Sequence, residues 1–369
     1  MRVAFDAHVV GEHESGNETY AVNLLRALVN DPGGNSYQLL TPHPDRLRTI
    51  IKPPPSATIV RVRPAASVLR IPVGIPQAVR RHRSEVLHVS YVAPPLLACP
   101  TVVTVHDLSY LAYPRSLSLR ARLTLTLLVP VSVRRAARVI AVSRFTRDEL
   151  VRRYRLAEEK IAVIHEAAGP AFRVLDNARS QPLPEGVTEP FVLAVGNLEP
   201  RKNLARLVQA FAAVAREPGI TAKLVLVGKA KGQADTLGRL VAQHGLGGRV
   251  IFTGFVEEDQ LVRLYNRAAA FVYPSLYEGF GLPPLEAMAC GCPVVASNVT
   301  AMPEVLGDAA LFVDPLSTPA LAEAIRRVLL GEEVARDLRA RGLRQAARYS
   351  WAKAAQETAA VYADAVRLA

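Results

Sequence analysis

Cysteine is scarce, three in 369 residues, and the three are poorly placed to act together. Cys99 stands alone, while Cys290 and Cys292 share a helix-to-strand turn with no CxxC pair or histidine cluster nearby. That pattern excludes a disulfide framework and a zinc site. Uninterrupted apolar runs all fall short of the roughly 20 residues that cross a bilayer. The chain opens as a strand, MRVAFDAHVV, without the basic, apolar and small-residue succession of a signal peptide, so a cytoplasmic protein is expected. Three motifs are also missing. No DxD is present to hold a divalent cation against a diphosphate, so no metal or other cofactor is expected. Without G-x-x-x-x-G-K-[ST], NTP hydrolysis is disfavoured. The first strand is not followed by GxGxxG, so the dinucleotide-binding dehydrogenase reading loses its usual support.

What is present is alternation. Half of the residues are apolar, and a chain of this length exceeds what one core usually supports, so two domains are expected. Strand-like runs recur near 2–9, 37–41, 58–62, 86–89, 101–105, 138–142 and 161–164, with helical patterns near 17–30, 75–83, 118–136 and 144–154. Between Asp176 and Pro190 the periodicity lapses into Pro, Gly and polar residues, the composition of a linker. Strands resume near 191–196, 223–228, 250–253, 269–273 and 293–296, with helices at 317–330 and 333–348. The expected class is α/β with doubly wound parallel sheets, in domains 1–180 and 181–350 followed by a helix over 351–369.

The net charge of +12 is unevenly spread: residues 1–190 carry 25 Lys and Arg against 16 Asp and Glu, and the remainder 20 against 17. Clusters lie at Arg80–Arg83, Arg134–Arg138 and Arg152–Arg155, the second following the apolar run Leu123–Val133. Two readings stand: solvated helix faces over a core run, or a basic surface with an apolar helix that rests on an anionic membrane. The clusters lack interleaved aromatics, so no nucleic acid partner is expected.

The most informative stretch is YPSLYEGFGLPPLEAMACGCPVVAS, Tyr273 to Ser297. Ala268–Tyr273 reads as a buried strand, Leu285–Ala289 as helix and Pro293–Ala296 as a returning strand, a βαβ unit. Its loop sets Glu278 and Glu286 seven residues apart, across Gly279 and Gly281 and a helix start at Pro283-Pro284. Glycines let backbone approach a ligand, and the first helical N–H groups attract negative charge. Glu278 is suited to accept from sugar hydroxyls and Glu286 from vicinal ribose hydroxyls. On spacing alone, Glu286 serves equally well as a carboxylate at a positive helix end, and Glu278 as a solvated loop residue. A second phosphate-directed element is FVLAVGNLEPRKNLARLVQAF, residues 191–211, in which a strand and a turn at Gly196 precede Arg201, Lys202 and a helix. Cations there suit a diphosphate leaving group, although such a pair is also an ordinary solvated helix start.

EGFGLPPLE resembles the glutamate, seven residues, glutamate signature of the retaining glycosyltransferases of family four, and FVYPSLYEGFG, GCPVVAS and MPEVLGDAALFVDP match the family's phrasing. The resemblance implies the GT-B fold, two Rossmann-like domains facing a cleft, with the last helix packing back on the first domain. It assigns the donor phosphates to Arg201 and Lys202, and the donor sugar to Glu278 with Gly279, Phe280, Gly281 and Leu282. Glu286 is assigned the ribose, and the backbone around Phe255 and Val256 the base. On the acceptor side it implies His106, at the end of TVVTVHDL, near the donor sugar, and Gly16 in the loop GEHESGNETYAVNLL near the donor phosphate. The family often has two adjacent glycines where this chain has Gly16-Asn17-Glu18. Ser143 reads as a helix N-cap. His165-Glu166 stands where the family commonly has Asn-Gly, and nothing in the sequence accounts for the change.

The implied reaction is metal-independent transfer of a hexose from a nucleoside diphosphate sugar to a glycan or lipid-linked acceptor, with retention by same-face attack. The opening and TVHDLSYLAYP look most like bacterial mannosyltransferases of polysaccharide assembly, which points to GDP-mannose ahead of UDP-glucose. A cytoplasmic protein, peripheral at the inner membrane face through its basic domain, is the expected setting. A GT-B-fold sugar-nucleotide epimerase and a non-catalytic sugar-nucleotide-binding subunit are the alternatives.

Overall fold

The computed structural model describes all residues from Met1 to Ala369 except His13, Glu14, Arg115, Ser116, Leu117 and Lys231. They form two units, Met1–Glu166 with Ser350–Ala369, and Ala167–Tyr349.

In the first unit seven strands form one parallel sheet: β1 Arg2–Asp6, β2 Ser36–Thr41, β3 Ala57–Arg61, β4 Val86–Ser90, β5 Thr101–Val105, β6 Arg138–Ala141 and β7 Ile161–Val163. Their order is β3-β2-β1-β4-β5-β6-β7. The continuous apolar runs follow from this, because helices cover both faces; all five residues of β5 are buried. β1 ends at Asp6, short of the residue 9 expected, as Ala7 turns back with Val10 N–H donating to its carbonyl at 3.2 Å. The helix Trp351–Arg367 belongs to this unit: Trp351 meets Tyr20 edge-on at 6.0 Å, and the Tyr362 hydroxyl lies 2.6 Å from Nδ1 of His88.

The second unit carries β8 Phe191–Val195, β9 Lys223–Val227, β10 Val250–Gly254, β11 Ala270–Tyr273, β12 Val294–Ser297 and β13 Ala310–Val313. These are parallel, in the order β10-β9-β8-β11-β12-β13. It begins at Ala167, before residue 181. The intervening segment is tied down inside it: Phe172 packs edge-on to Tyr265 at 5.8 Å, and Leu175 N–H donates to Oδ1 of Asn266 at 2.8 Å.

In each sheet the strand order reverses once, between β1 and β4 and between β8 and β11. Ligand sites of open α/β sheets form beyond the carboxyl ends of the strands at such reversals. One helix departs from the covered pattern. Leu119–Arg135 buries only Val129, Ser132 and Val133, leaving Leu119, Leu123, Leu127, Leu128 and Val131 exposed. Among the described residues no helix is long and apolar enough to cross a membrane.

Candidate functional site

Beyond the carboxyl end of β8 the chain runs through Gly196 and a single 3₁₀ turn, Pro200–Lys202, which ends on Asn203 in the left-handed conformation. Asn203 holds that turn by donating from Nδ2 to the carbonyls of Pro274 and Pro315, at 3.1 and 2.7 Å. Arg201 and Lys202 are thereby aimed at the segment leaving β11. Lys202 Nζ donates to Oε1 of Glu278 at 2.7 Å and to the Tyr273 hydroxyl at 2.6 Å, and lies over the Tyr273 ring. Arg201 Nη1 is 2.9 Å from the same Glu278 oxygen and donates to the Tyr277 carbonyl at 3.0 Å. Glu199 approaches Arg201 at 3.6 Å.

The electrostatics of this cluster are strongly coupled. Burial would raise the Glu278 carboxyl, but the charges of Arg201 and Lys202 outweigh it and hold the pKa at about 2. Burial also lowers Lys202, and Glu278 opposes that shift only in part. Two cations thus lie at a strand reversal with two carboxylates as counter-ions, one of them shared. Such a site accepts an anion that brings its own oxygens to the guanidinium and ammonium.

The loop from Glu278 supports this arrangement. Glu278 N–H donates to Oγ1 of Thr300 at 3.2 Å. Gly281, at φ +100°, starts the helix Leu282–Ala289, and a Cβ there would clash with Cε of Met302. Phe280 and Leu282 are buried, with Phe280 edge-on to Tyr349 at 5.9 Å. Glu286, in the second turn of the helix, is buried and accepts from the Tyr265 hydroxyl at 3.1 Å. Phe255 is exposed, Val256 buried, and Lys229 lies over the Phe255 ring at 5.2 Å. Beside them a cavity of about 540 Å³ is lined by residues including Leu198, Gly228, Asp235, Arg239 and Gly254.

In the first unit, His106 follows β5. Its carbonyl accepts from Oγ1 of Thr146 at 3.2 Å, and Thr146 N–H donates to the N-capping Ser143 Oγ at 3.0 Å. Ser143 is therefore a helix cap, as its sequence context suggests. The His106 ring meets Tyr20 edge-on at 4.6 Å, and its Nδ1 is 3.1 Å from Oε1 of Glu166. Gly16 differs from expectation: it lies in the first turn of the helix Ser15–Asn30 instead of a loop. Glu18 caps the turn before it, accepting from Gly11 N–H at 2.7 Å. Of the loop 11–25, His13 and Glu14 lie outside the described residues.

Residues 177–345 match the family described as glycosyl transferases group 1, and residues 15–168 match glycosyltransferase family 4. The serotype-specific mannosyltransferase WbdA of Escherichia coli is 36% identical over 227 residues, 60% of this chain but 28% of that relative. The chain thus spans little more than a quarter of WbdA. The O-antigen chain mannosyltransferase B of Escherichia coli is 34% identical over 264 residues, 71% of this chain and 69% of the relative. This chain belongs to glycosyltransferase family 4. Anabaena HepE, solved in complex with UDP and glucose, shares the GT-B fold at a TM-score of 0.76, with 19% identity over 98% of this chain and 99% of its own.

In this family 4 chain, the structure brings Arg201, Lys202 and Glu278 into direct contact, whereas Glu286 pairs with Tyr265. Tyr273 and Thr300 join the site without a motif that marks them in the sequence. Tyr273 ends an apolar strand, so its pattern signalled burial and concealed the hydroxyl's role. For Glu166 the departure from Asn-Gly is itself the signal.

Proposed function

We propose that this chain transfers a mannosyl residue from GDP-mannose to a hydroxyl of a glycan or lipid-linked acceptor, retaining the anomeric configuration. The observation that carries this reading is the cluster of Arg201, Lys202 and Glu278 at the strand reversal of the second sheet. The names of the two Escherichia coli relatives support the choice of mannose. Arg201 and Lys202 take the diphosphate, Glu278 with the backbone of Gly279 to Leu282 takes the sugar, and Glu286 takes the ribose. The base lies near Phe255 and Val256, by the cavity of about 540 Å³. Backbone at Gly196 approaches the phosphates, and in the first unit His106 accepts from a sugar hydroxyl.

As the bond from C1 to the phosphate oxygen breaks, its electron pair stays on the diphosphate, where the two cations stabilise it. The acceptor oxygen bonds to C1 from the same face, and its proton passes to the departing phosphate oxygen. The cations occupy the role that a divalent metal has elsewhere, so the reaction needs no metal or cofactor. Thermal unfolding in EDTA with GDP, UDP and ADP tests the site. GDP at about a hundred times its dissociation constant is expected to stabilise the fold by about 2.7 kcal/mol. A shift with UDP alone would move the donor to UDP-glucose, and none with any nucleotide would overturn the reading. Following GDP-mannose by NMR separates transfer from its rivals: conversion without acceptor indicates an epimerase, and tight binding without turnover a binding subunit.

The acceptor is assigned to the inner face of the cytoplasmic membrane, which the first unit contacts. The helix Leu119–Arg135 supports this: it pairs exposed leucines with Arg120, Arg122, Arg134 and Arg135 and has no carboxylate. From Arg46 to Arg147 the chain has seventeen Lys and Arg but only Glu85 and Asp107 as acids. Beside the helix an apolar cavity of about 700 Å³, rimmed by Arg120 and Arg135, has the character of an acyl-chain site. The protein is expected to co-sediment with phosphatidylglycerol vesicles and not with phosphatidylcholine vesicles, with binding weakened by salt. A Leu123→Glu, Leu127→Glu variant should lose binding while keeping its melting temperature. Equal binding by the variant would overturn the assignment.

A further inference from the structure

We propose that Glu166 is a positioning residue that fixes the tautomer of His106, holding the ring proton on Nδ1 and leaving Nε2 as an acceptor for a substrate hydroxyl. The proposal rests on the assignment of His106 to the reaction site made above. Glu166 lies three residues past β7, two strands from the β5 end that carries His106, yet its Oε1 reaches Nδ1 at 3.1 Å. Both side chains are buried, at 10% and 5% exposure.

The ring is held on every side that matters. Tyr20 meets it edge-on at 4.6 Å and Tyr91 is tilted against it at 5.7 Å. The Tyr20 hydroxyl is 3.0 Å from Oγ1 of Thr104, which lies 2.7 Å from Nε2 of His88. The His106 carbonyl is tied to Thr146. A ring flip would break the contact between Nδ1 and Glu166.

A carboxylate can only accept, so the shared proton belongs to Nδ1 of His106. The other ring nitrogen, Nε2, is buried and has no hydrogen-bond partner among the described residues. In the neutral ring that nitrogen carries a lone pair, and an unpaired buried acceptor is costly unless a ligand satisfies it. A sugar hydroxyl, which donates an O–H, is the complementary group. The His165-Glu166 pair thus has a physical account: a glycine at 166 would leave Nδ1 without its carboxylate.

Nitrogen-15 NMR of histidine-labelled protein reads the tautomer without substrate, with His106→Gln assigning the resonance. The wild-type ring is expected to be protonated on Nδ1. In Glu166→Ala the proton should redistribute towards Nε2, and kcat should fall about 10²-fold with the donor KM little changed. Glu166→Gln, whose amide oxygen still accepts from Nδ1, should keep the tautomer and recover most of kcat. A wild-type ring protonated on Nε2 would overturn the proposal, as would a Glu166→Ala variant with unchanged tautomer and rate. If the transfer reaction itself proved wrong, the tautomer result would still stand or fall alone.

Discussion

Replacing Lys202 with methionine is expected to lower kcat for the proposed mannosyl transfer by about 10²- to 10³-fold, the usual effect of deleting one group that stabilises charge developing in a transition state. Stability should change far less. The Lys202 ammonium is held below its ordinary pKa by burial, so its removal relieves a desolvation cost, and Glu278 keeps Arg201 at 2.9 Å as partner. Replacing Glu278 with alanine should behave in the opposite way. It strands two cations around one vacated position, and removing one partner of a buried pair costs about 3–5 kcal/mol. Its melting temperature should drop visibly, by roughly 2–4 °C per kcal/mol for a domain of this size. Because a nucleoside diphosphate would supply the missing negative charge, GDP should stabilise Glu278→Ala and shift Lys202→Met much less. Melting curves with and without GDP, beside steady-state rates, check all four combinations. A Lys202→Met enzyme with wild-type kcat would remove the charge-stabilising role.

The difference between those variants marks what was legible in the sequence. Alternating apolar runs led directly to twelve of the strands, because parallel strands buried on both faces read as continuous Val, Ile and Leu. Ala310–Val313 was missed as a strand, being four residues long with a partly exposed centre. The helices Pro44–Ile51, Ala234–Gln243 and Glu258–Arg267 were also passed over; they are rich in charged or polar residues, and their apolar faces are narrow. Candidate site residues came from motifs, but their pairings did not. Spacing along the chain brought Glu278 and Glu286 together as one idea. In the structure Glu278 belongs with Arg201 and Lys202, 77 and 76 positions earlier, because the strand order sets β8 beside β11. Nothing local to His165-Glu166 announces that Glu166 meets His106, since that contact depends on the order of β5, β6 and β7. Leu123–Val133 read as core or as surface, and its burial only from Val129 onward decides that most of it is surface.

Acidification should destabilise the protein in two stages, and the first belongs to His88. This ring is fully buried in the first unit, between the Tyr362 hydroxyl at 2.6 Å and Oγ1 of Thr104 at 2.7 Å. Burial, aided by nearby His106, pushes its pKa from 6.5 to about 3. As pH falls below 6.5 the unfolded chain takes up a proton that the folded chain refuses, so stability declines with a limiting slope of about 1.4 kcal/mol per pH unit. Between pH 6.5 and 5 the loss should approach about 2 kcal/mol. As pH falls into the ordinary carboxylate range a second stage begins, because Glu278 and Asp6 are both held at about 2 in the folded chain while the unfolded chain takes up their protons. Asp6 is held down against its burial by His8 and by Arg70, whose Nη1 lies 2.8 Å from Oδ1. Urea unfolding at pH 7.5, 6 and 5 measures the first stage. His88→Gln, whose amide neither titrates nor needs to be kept neutral, should flatten the curve over that interval and leave the fall below pH 4.5 in place. A wild-type curve already flat between pH 6.5 and 5, or a His88→Gln curve as steep as the wild type, would show that His88 is not the group that binds the C-terminal helix to the sheet in a pH-dependent way.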